Sequence, residues 1–266
     1  MDNRPIGVFD SGVGGLTAVR RLHEILPHEN IIYFGDTGRV PYGTRSAETI
    51  LKYTRQDVHF LQAFDIKAIV VACNTVSATA LDIVVAETDV PMIGVVSPAC
   101  DAARKATITG RIGVIGTQAT VRSGVYERML HEADPKLSVF MQACPLLVPL
   151  AENGRVHRGD VVAETLMREY LAPIKEQKVD TLILACTHYP LFREIIAAEM
   201  GEHVKLIDSG AAAAECVRGM LTPAQERQGK TRYFVSDDPE GFNHLAPGFL
   251  HSALDFPAKR VEFGAF

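Results

Sequence analysis

Short apolar runs alternate with longer amphipathic segments along almost the whole chain, and few folds accept that pattern. The runs are I-G-V-F (6–9), N-I-I-Y-F (30–34), A-I-V-V-A (68–72), M-I-G-V-V (92–96), R-I-G-V-I (111–115), S-V-F-M-Q (138–142), T-L-I-L-A (181–185), V-K-L-I (204–207) and T-R-Y-F-V (231–235). They are rich in Val and Ile and nearly continuous, as suits strands covered on both faces. Between them, Ala47–Phe64 places Ile50, Leu51, Tyr53, Thr54, Val58 and Leu61 at helical spacing. Ser123–Glu132, Asp160–Glu176, Leu191–Met200 and Ala211–Met220 behave similarly. Repeated β-then-α units predict an α/β protein with mainly parallel sheets flanked by helices.

Nine strands fit one sheet or two, and two echoes within the chain favour two. D-I-K-A-I-V-V-A-C-N-T (65–75) resembles K-V-D-T-L-I-L-A-C-T-H (178–188), and F-D-S-G-V-G-G-L (9–16) is echoed by I-D-S-G-A-A-A-A (207–214). Related halves would produce such echoes. The expected division is a discontinuous first lobe, 1–97 plus 208–266, and a second lobe, 98–207, with the site between them.

Composition narrows the function. The net charge of −5 and the lack of a basic run with interleaved aromatics argue against a nucleic-acid surface. No long apolar run could cross a membrane, and M-D-N-R-P-I-G-V lacks the blocks of a signal peptide, so a cytoplasmic protein is expected. The five cysteines are odd in number and widely spaced, without C-x-x-C, which points to free thiols. Cys100, Cys144 and Cys216 are expected to be small buried hydrophobes. His23, His28, His59 and His131 have no ligand-spaced partners, and T-P-A-Q-E-R-Q-G-K-T-R (222–232) reads as a solvated loop.

In open α/β sheets ligands bind outside the carboxyl ends of strands. Asp10-Ser11-Gly12, Asp36-Thr37, Cys73-Asn74-Thr75, Gly116-Thr117 and Cys186-Thr187-His188 all fall there. D-S-G-V-G-G (10–15) lacks the G-x-G-x-x-G spacing and any Walker lysine, so it is either an anion-holding helix start or a tight glycine turn. Cys73 and Cys186 each end a strand and open onto a helix, a position expected to lower a thiol pKa. Three chemistries use such a thiol. A Cys–His nucleophile needs only one, and a redox pair needs a resolving partner. Acid–base work on the two faces of one substrate carbon needs two.

The segments G-V-F-D-S-G-V-G-G-L (7–16), Y-F-G-D-T-G-R-V-P-Y-G-T-R-S (33–46), V-V-A-C-N-T-V-S-A (70–78), I-G-V-I-G-T (112–117) and L-A-C-T-H-Y-P (184–190) together resemble the cofactor-independent glutamate racemases of the aspartate/glutamate racemase family. The resemblance spans nearly the whole chain. It implies interconversion of L- and D-glutamate for peptidoglycan synthesis, two pseudo-symmetric α/β lobes, a homodimer, and neither pyridoxal phosphate nor metal. By motif match it implies Cys73 as the thiol on the D-glutamate face and Cys186 on the L-glutamate face, assisted by Asp10 and His188. Ser11, Pro41, Tyr42, Gly43, Asn74, Thr75 and Thr187 would hold substrate, with Thr117 and Glu152 as further contacts. An aspartate racemase, or a binding protein that keeps the cleft without turnover, are the competing expectations.

Overall fold

The computed structural model describes residues 2–224 and 228–262. Among the described residues ten strands form: β1 (Ile6–Asp10), β2 (Ile31–Gly35), β3 (Ala68–Val71), β4 (Met92–Gly94), β5 (Arg111–Gly116), β6 (Ser138–Ala143), β7 (Thr181–Ala185), β8 (Lys205–Asp208), β9 (Thr231–Val235) and β10 (Lys259–Arg260). They make two separate sheets, ordered β10-β9-β2-β1-β3-β4 and β6-β5-β7-β8. Every neighbouring pair is parallel.

The apolar runs become strands because their residues alternate between two cores. In β3, Ala68 and Val70 face one cluster with Val8 and Leu16, while Ile69 and Val71 face another with Phe34 and Leu61. In β7, Leu182 and Leu184 pack with Met167 and Phe192, while Ile183 and Ala185 pack with Val114 and Tyr126. Each fully buried Val, Leu or Ile contributes about 1.5–3 kcal/mol. A strand covered on both faces therefore tolerates no polar alternation.

Three details differ from the sequence expectation. β4 stops at Gly94 because Val95 already has helical backbone (φ −90°, ψ −15°) and caps the helix Val96–Ala106. β6 is an edge strand, half-buried along its length rather than covered. β10 is two exposed residues paired to β9, too short and polar to show as a periodic run. Of the segment 222–232, residues 225–227 lie outside the described residues, and Thr231 and Arg232 belong to β9.

The two sheets repeat one topology. The first four strands lie in the order β2-β1-β3-β4 and the next four in the order β6-β5-β7-β8. In each set the order reverses between the first and third strands, and there the crevice opens for a ligand. Cys73 follows β3 and Cys186 follows β7, so the two thiols stand at equivalent positions. The Asp-Ser-Gly echo is different. Asp10 ends β1, but Asp208 ends β8, the fourth strand of its set. The following helices, Leu16–Ile25 and Ser209–Met220, pack on each other instead. A Cβ on Gly210 would lie 3.2 Å from Ala18, so the small residues at the start of the second helix allow close approach to the first. Among the described residues no helix is long and apolar enough to cross a membrane.

Candidate active site

The carboxyl ends of the two sheets face one cavity of about 430 Å³, lined by both thiols. That volume is usual for a small-molecule site. The first sheet contributes Ser11 and Gly12 after β1 and Cys73, Asn74 and Thr75 after β3; the second contributes Thr117 after β5 and Cys186, Thr187 and His188 after β7. Pro41, Tyr42, Gly43 and Glu152 also line it. Of the site residues implied by the resemblance, Asp10 alone does not line it and is fully buried; of the strand-end residues, Asp36, Thr37 and Gly116 do not line it either.

Each thiol has a polar neighbour on its own sheet. Cys73 Sγ lies 3.7 Å from Ser11 Oγ. Cys186 Sγ lies 3.9 Å from His188 Nδ1. His188 is fixed from its other side by Glu152, whose Oε1 is 3.1 Å from Nε2, and by Phe249, which packs edge-on at 5.4 Å. Asp10 Oδ2 accepts from the backbone N–H groups of Gly12 (3.2 Å) and Gly15 (3.0 Å), which shapes the turn carrying Ser11. Its Oδ1 is buried without a partner.

The sheets are joined across the cavity. Thr75 Oγ1 meets Thr117 Oγ1 at 2.9 Å, and Thr17 Oγ1 donates to the carbonyl of Thr187 at 2.8 Å. Gly14 and Gly43 stand where nothing larger fits: a Cβ on Gly14 would sit 2.4 Å from Thr187 Oγ1 and His188 Cε1, and one on Gly43 would sit 2.8 Å from Thr117 Cβ.

Two expected contact residues are engaged elsewhere. The Tyr42 hydroxyl turns away from the cavity to Asp36 and Asp57. Asn74 Oδ1 accepts from Tyr126 (2.6 Å), and its Nδ2 donates to Ser209 Oγ (3.1 Å), leaving one amide N–H uncommitted. Tyr126 and Ser209 carry no local signal, because they reach Asn74 only through the fold. Thr44 and Gln118 also line the cavity, with Leu146, Val148 and Pro149 as an apolar wall. Gln118 was within reach of the strand-end rule, one residue past Thr117. The apolar wall had no signal, since such residues read as core.

The thiol pKa expectation is corrected. Burial pushes the Cys73 thiol up to about 12, and the Asp10 carboxyl adds to the rise. Burial also raises Cys186 well above the ordinary thiol range. Backbone N–H groups lower both, as a helix start should, but desolvation is the larger effect. Burial likewise raises Asp10, while His188 and three backbone N–H groups oppose it. A raised pKa therefore does not mark the reactive pair, because burial also raises Cys100 and Cys144 to about 12, with the Asp101 charge adding to the rise at Cys100. Cys100 and Cys144 are buried as expected, whereas Cys216 is half-exposed beside Met220.

These shifts predict alkaline instability. Cys73, Cys100, Cys144, Cys186, Tyr33, Tyr126 and Tyr189 all have raised values when folded. Below the unfolded thiol pKa both states hold their protons and no stability is lost. Above it the unfolded chain ionises while the fold does not, so stability falls by about 1.4 kcal/mol per pH unit per group. Urea unfolding at pH 8 and pH 10 will show a much lower midpoint at pH 10.

Fold and site thus define a class: two parallel α/β units that present one thiol each to a shared small-molecule cavity. The pattern describing Asp/Glu/hydantoin racemases matches residues 6–217. A glutamate racemase of Streptococcus pneumoniae serotype 19F is 52% identical over 260 residues, covering 96% of this chain and 97% of that one. The solved glutamate racemase RacE1 of Bacillus anthracis superposes with a TM-score of 0.91 at 38% identity, covering 98% of both chains. That of Francisella tularensis, solved with D-glutamate, superposes at 0.89 and 38%, again with 98% of both covered. The chain belongs to the Asp/Glu/hydantoin racemase family and is an enzyme of the isomerase class.

Proposed function

We propose that this enzyme interconverts L- and D-glutamate by passing the α-proton between Cys73 and Cys186. The observation that carries the proposal is the equivalent placement of the two thiols on one cavity, each after the third strand of a repeated sheet. Racemisation has that symmetry: one group takes the proton from one face of Cα and another returns it to the opposite face.

The Cα–H bond breaks toward the thiolate of one cysteine, which becomes a thiol. The electron pair stays on Cα and spreads into the α-carboxylate. The other cysteine, a thiol at the start, gives its proton to the opposite face and becomes a thiolate. Cys73 serves the D-glutamate face and Cys186 the L-glutamate face. His188 holds or exchanges the Cys186 proton, with Glu152 fixing its ring. Asp10, behind the wall, shapes the turn that carries Ser11 and so assists Cys73 through it.

Among the described residues no Lys or Arg lines the cavity. The substrate carboxylates are therefore held by neutral donors: the hydroxyls of Ser11, Thr75, Thr117 and Thr187, the Asn74 amide, and backbone N–H groups near Pro41–Gly43. Donors aimed at the α-carboxylate stabilise the charge that develops there. The ammonium of glutamate brings the cation that a buried thiolate lacks, so ionisation is favoured when substrate is bound. The reaction so described calls on no cofactor.

By family resemblance, we take the protein to be a cytoplasmic homodimer that supplies D-glutamate to peptidoglycan synthesis. Its lobes are residues 1–97 with 208–266, and residues 98–207. Incubation with L-glutamate, then chiral separation, will yield D-glutamate. D-aspartate from L-aspartate instead would move the assignment to aspartate, and binding without either product would make it a binding protein.

A further inference from the structure

The hydroxyl of Tyr42 poses a proton-counting problem. It lies within hydrogen-bonding reach of two buried carboxyl oxygens, Asp36 Oδ2 and Asp57 Oδ2, the second at 3.1 Å. A phenol carries one proton. It donates to one oxygen, and the other contact is attractive only if that carboxyl brings a proton of its own.

The surrounding donors decide which carboxyl is the neutral one. Asp36 has Arg39 Nε at 2.6 Å and accepts from Ser236 Oγ at 2.7 Å. Among the described residues, Asp57 has, besides Tyr42, Arg39 Nη2 at 3.1 Å on Oδ1. Both side chains are fully buried, with one guanidinium between them. One cation balances one carboxylate, and a second uncompensated buried charge is costly. Asp57 is also the group whose pKa burial and the Asp36 charge push well up, against Arg39 and Tyr42, with Asp10 adding to the rise.

The network is tied to the site. Pro41, Tyr42, Gly43 and Thr44 line the cavity; the Tyr42 ring packs on Tyr53, and its hydroxyl is held from behind by these carboxyls. Asp57 lies on the helix Ala47–Gln62 and does not line the cavity. We infer that Asp57 is a positioning residue: as a neutral acid it donates to the Tyr42 oxygen, Tyr42 donates to the Asp36 carboxylate, and this relay locks Pro41–Thr44 into the wall that grips the substrate. The inference rests on the racemase reading for its kinetic consequence but not for its protonation.

Two measurements test it. In glutamate racemisation, Asp57→Asn supplies the same donor and acceptor without a charge, so KM and kcat at neutral pH stay within about twofold of wild type. Asp57→Leu removes the donor to the Tyr42 oxygen and the acceptor of Arg39 Nη2, and raises KM by about tenfold, with a smaller change in kcat. A merely structural role would lower the active fraction and leave KM alone. Infrared difference spectra need no activity: a band of a buried protonated carboxyl, shifted by deuterium oxide, is present in wild type and lost in Asp57→Asn. Its retention in Asp57→Asn, or equal damage from Asp57→Asn and Asp57→Leu, would overturn the inference. If wild type fails to racemise glutamate yet shows the band, only the racemase reading falls.

Discussion

Cys73→Ser and Cys186→Ser will each lower glutamate racemisation by about 10³-fold or more. One positioned acid or base contributes about 10²–10⁴-fold, and a serine hydroxyl is far too weak an acid to stand in as its conjugate base. Enantiomers have equal free energy in water, so the equilibrium constant is one for any variant. Loss of kcat/KM must therefore be equal in both directions, and asymmetry can show only in proton exchange. With Cys186 replaced, Cys73 can still take and return the proton of D-glutamate. That variant will exchange the α-proton of D-glutamate with deuterium oxide without inversion, and will leave L-glutamate unexchanged. Cys73→Ser will show the reverse. Opposite exchange patterns would swap the faces, and wild-type racemisation by either variant would end the two-thiol assignment.

Gly14→Ala is the second large effect, although Gly14 performs no chemistry. Its Cβ would lie 2.4 Å from Thr187 Oγ1 and from His188 Cε1. Neither neighbour can yield easily. His188 is held by Glu152 and Phe249, and the Thr187 carbonyl is tied to Thr17. The sheets must move apart where they meet, and Cys186 moves with its own. A misplacement of about 1 Å costs about 10²-fold in rate, and overpacking costs about 1–3 kcal/mol of stability. Expected is a kcat/KM loss of about 10²-fold with a lowered melting temperature. Steady-state kinetics beside a thermal melt check it; near-wild-type kinetics would mean that the two sheets are not in register through Gly14.

The fold was legible where burial leaves a one-dimensional trace. β3 and β7 show as uninterrupted Val, Ile and Leu because both faces are covered. β10 left no trace, because two exposed residues on a sheet edge need no pattern. The cysteine echo was a true guide, since both thiols follow the third strand of a repeated β2-β1-β3-β4 order. The Asp-Ser-Gly echo looked as good but ends strands at different positions, and the two helices that follow pack on each other where Gly210 meets Ala18.

The candidate site was legible as a set of strand ends, but the electrostatics of its members were not. A helix start beside Cys73 suggested a lowered thiol pKa, yet the thiol lies at 5% exposure and desolvation outweighs the N–H groups. Tyr42 looked like a substrate contact, and only the fold brings Asp36 and Asp57 onto its hydroxyl. Such tertiary contacts as Thr75 with Thr117, or Asn74 with Tyr126, join residues whose separation along the chain carries no hint of them.

The central claim is a single Cα between Cys73 and Cys186. It is tested most directly by wild-type enzyme and L-glutamate in deuterium oxide, with both enantiomers separated and their α-positions read by NMR early in the reaction. Two thiols on opposite faces predict D-glutamate that carries deuterium from its first appearance, beside remaining L-glutamate that still carries protium. D-glutamate formed with its original protium would mean one base carrying the same proton across, and would contradict the account.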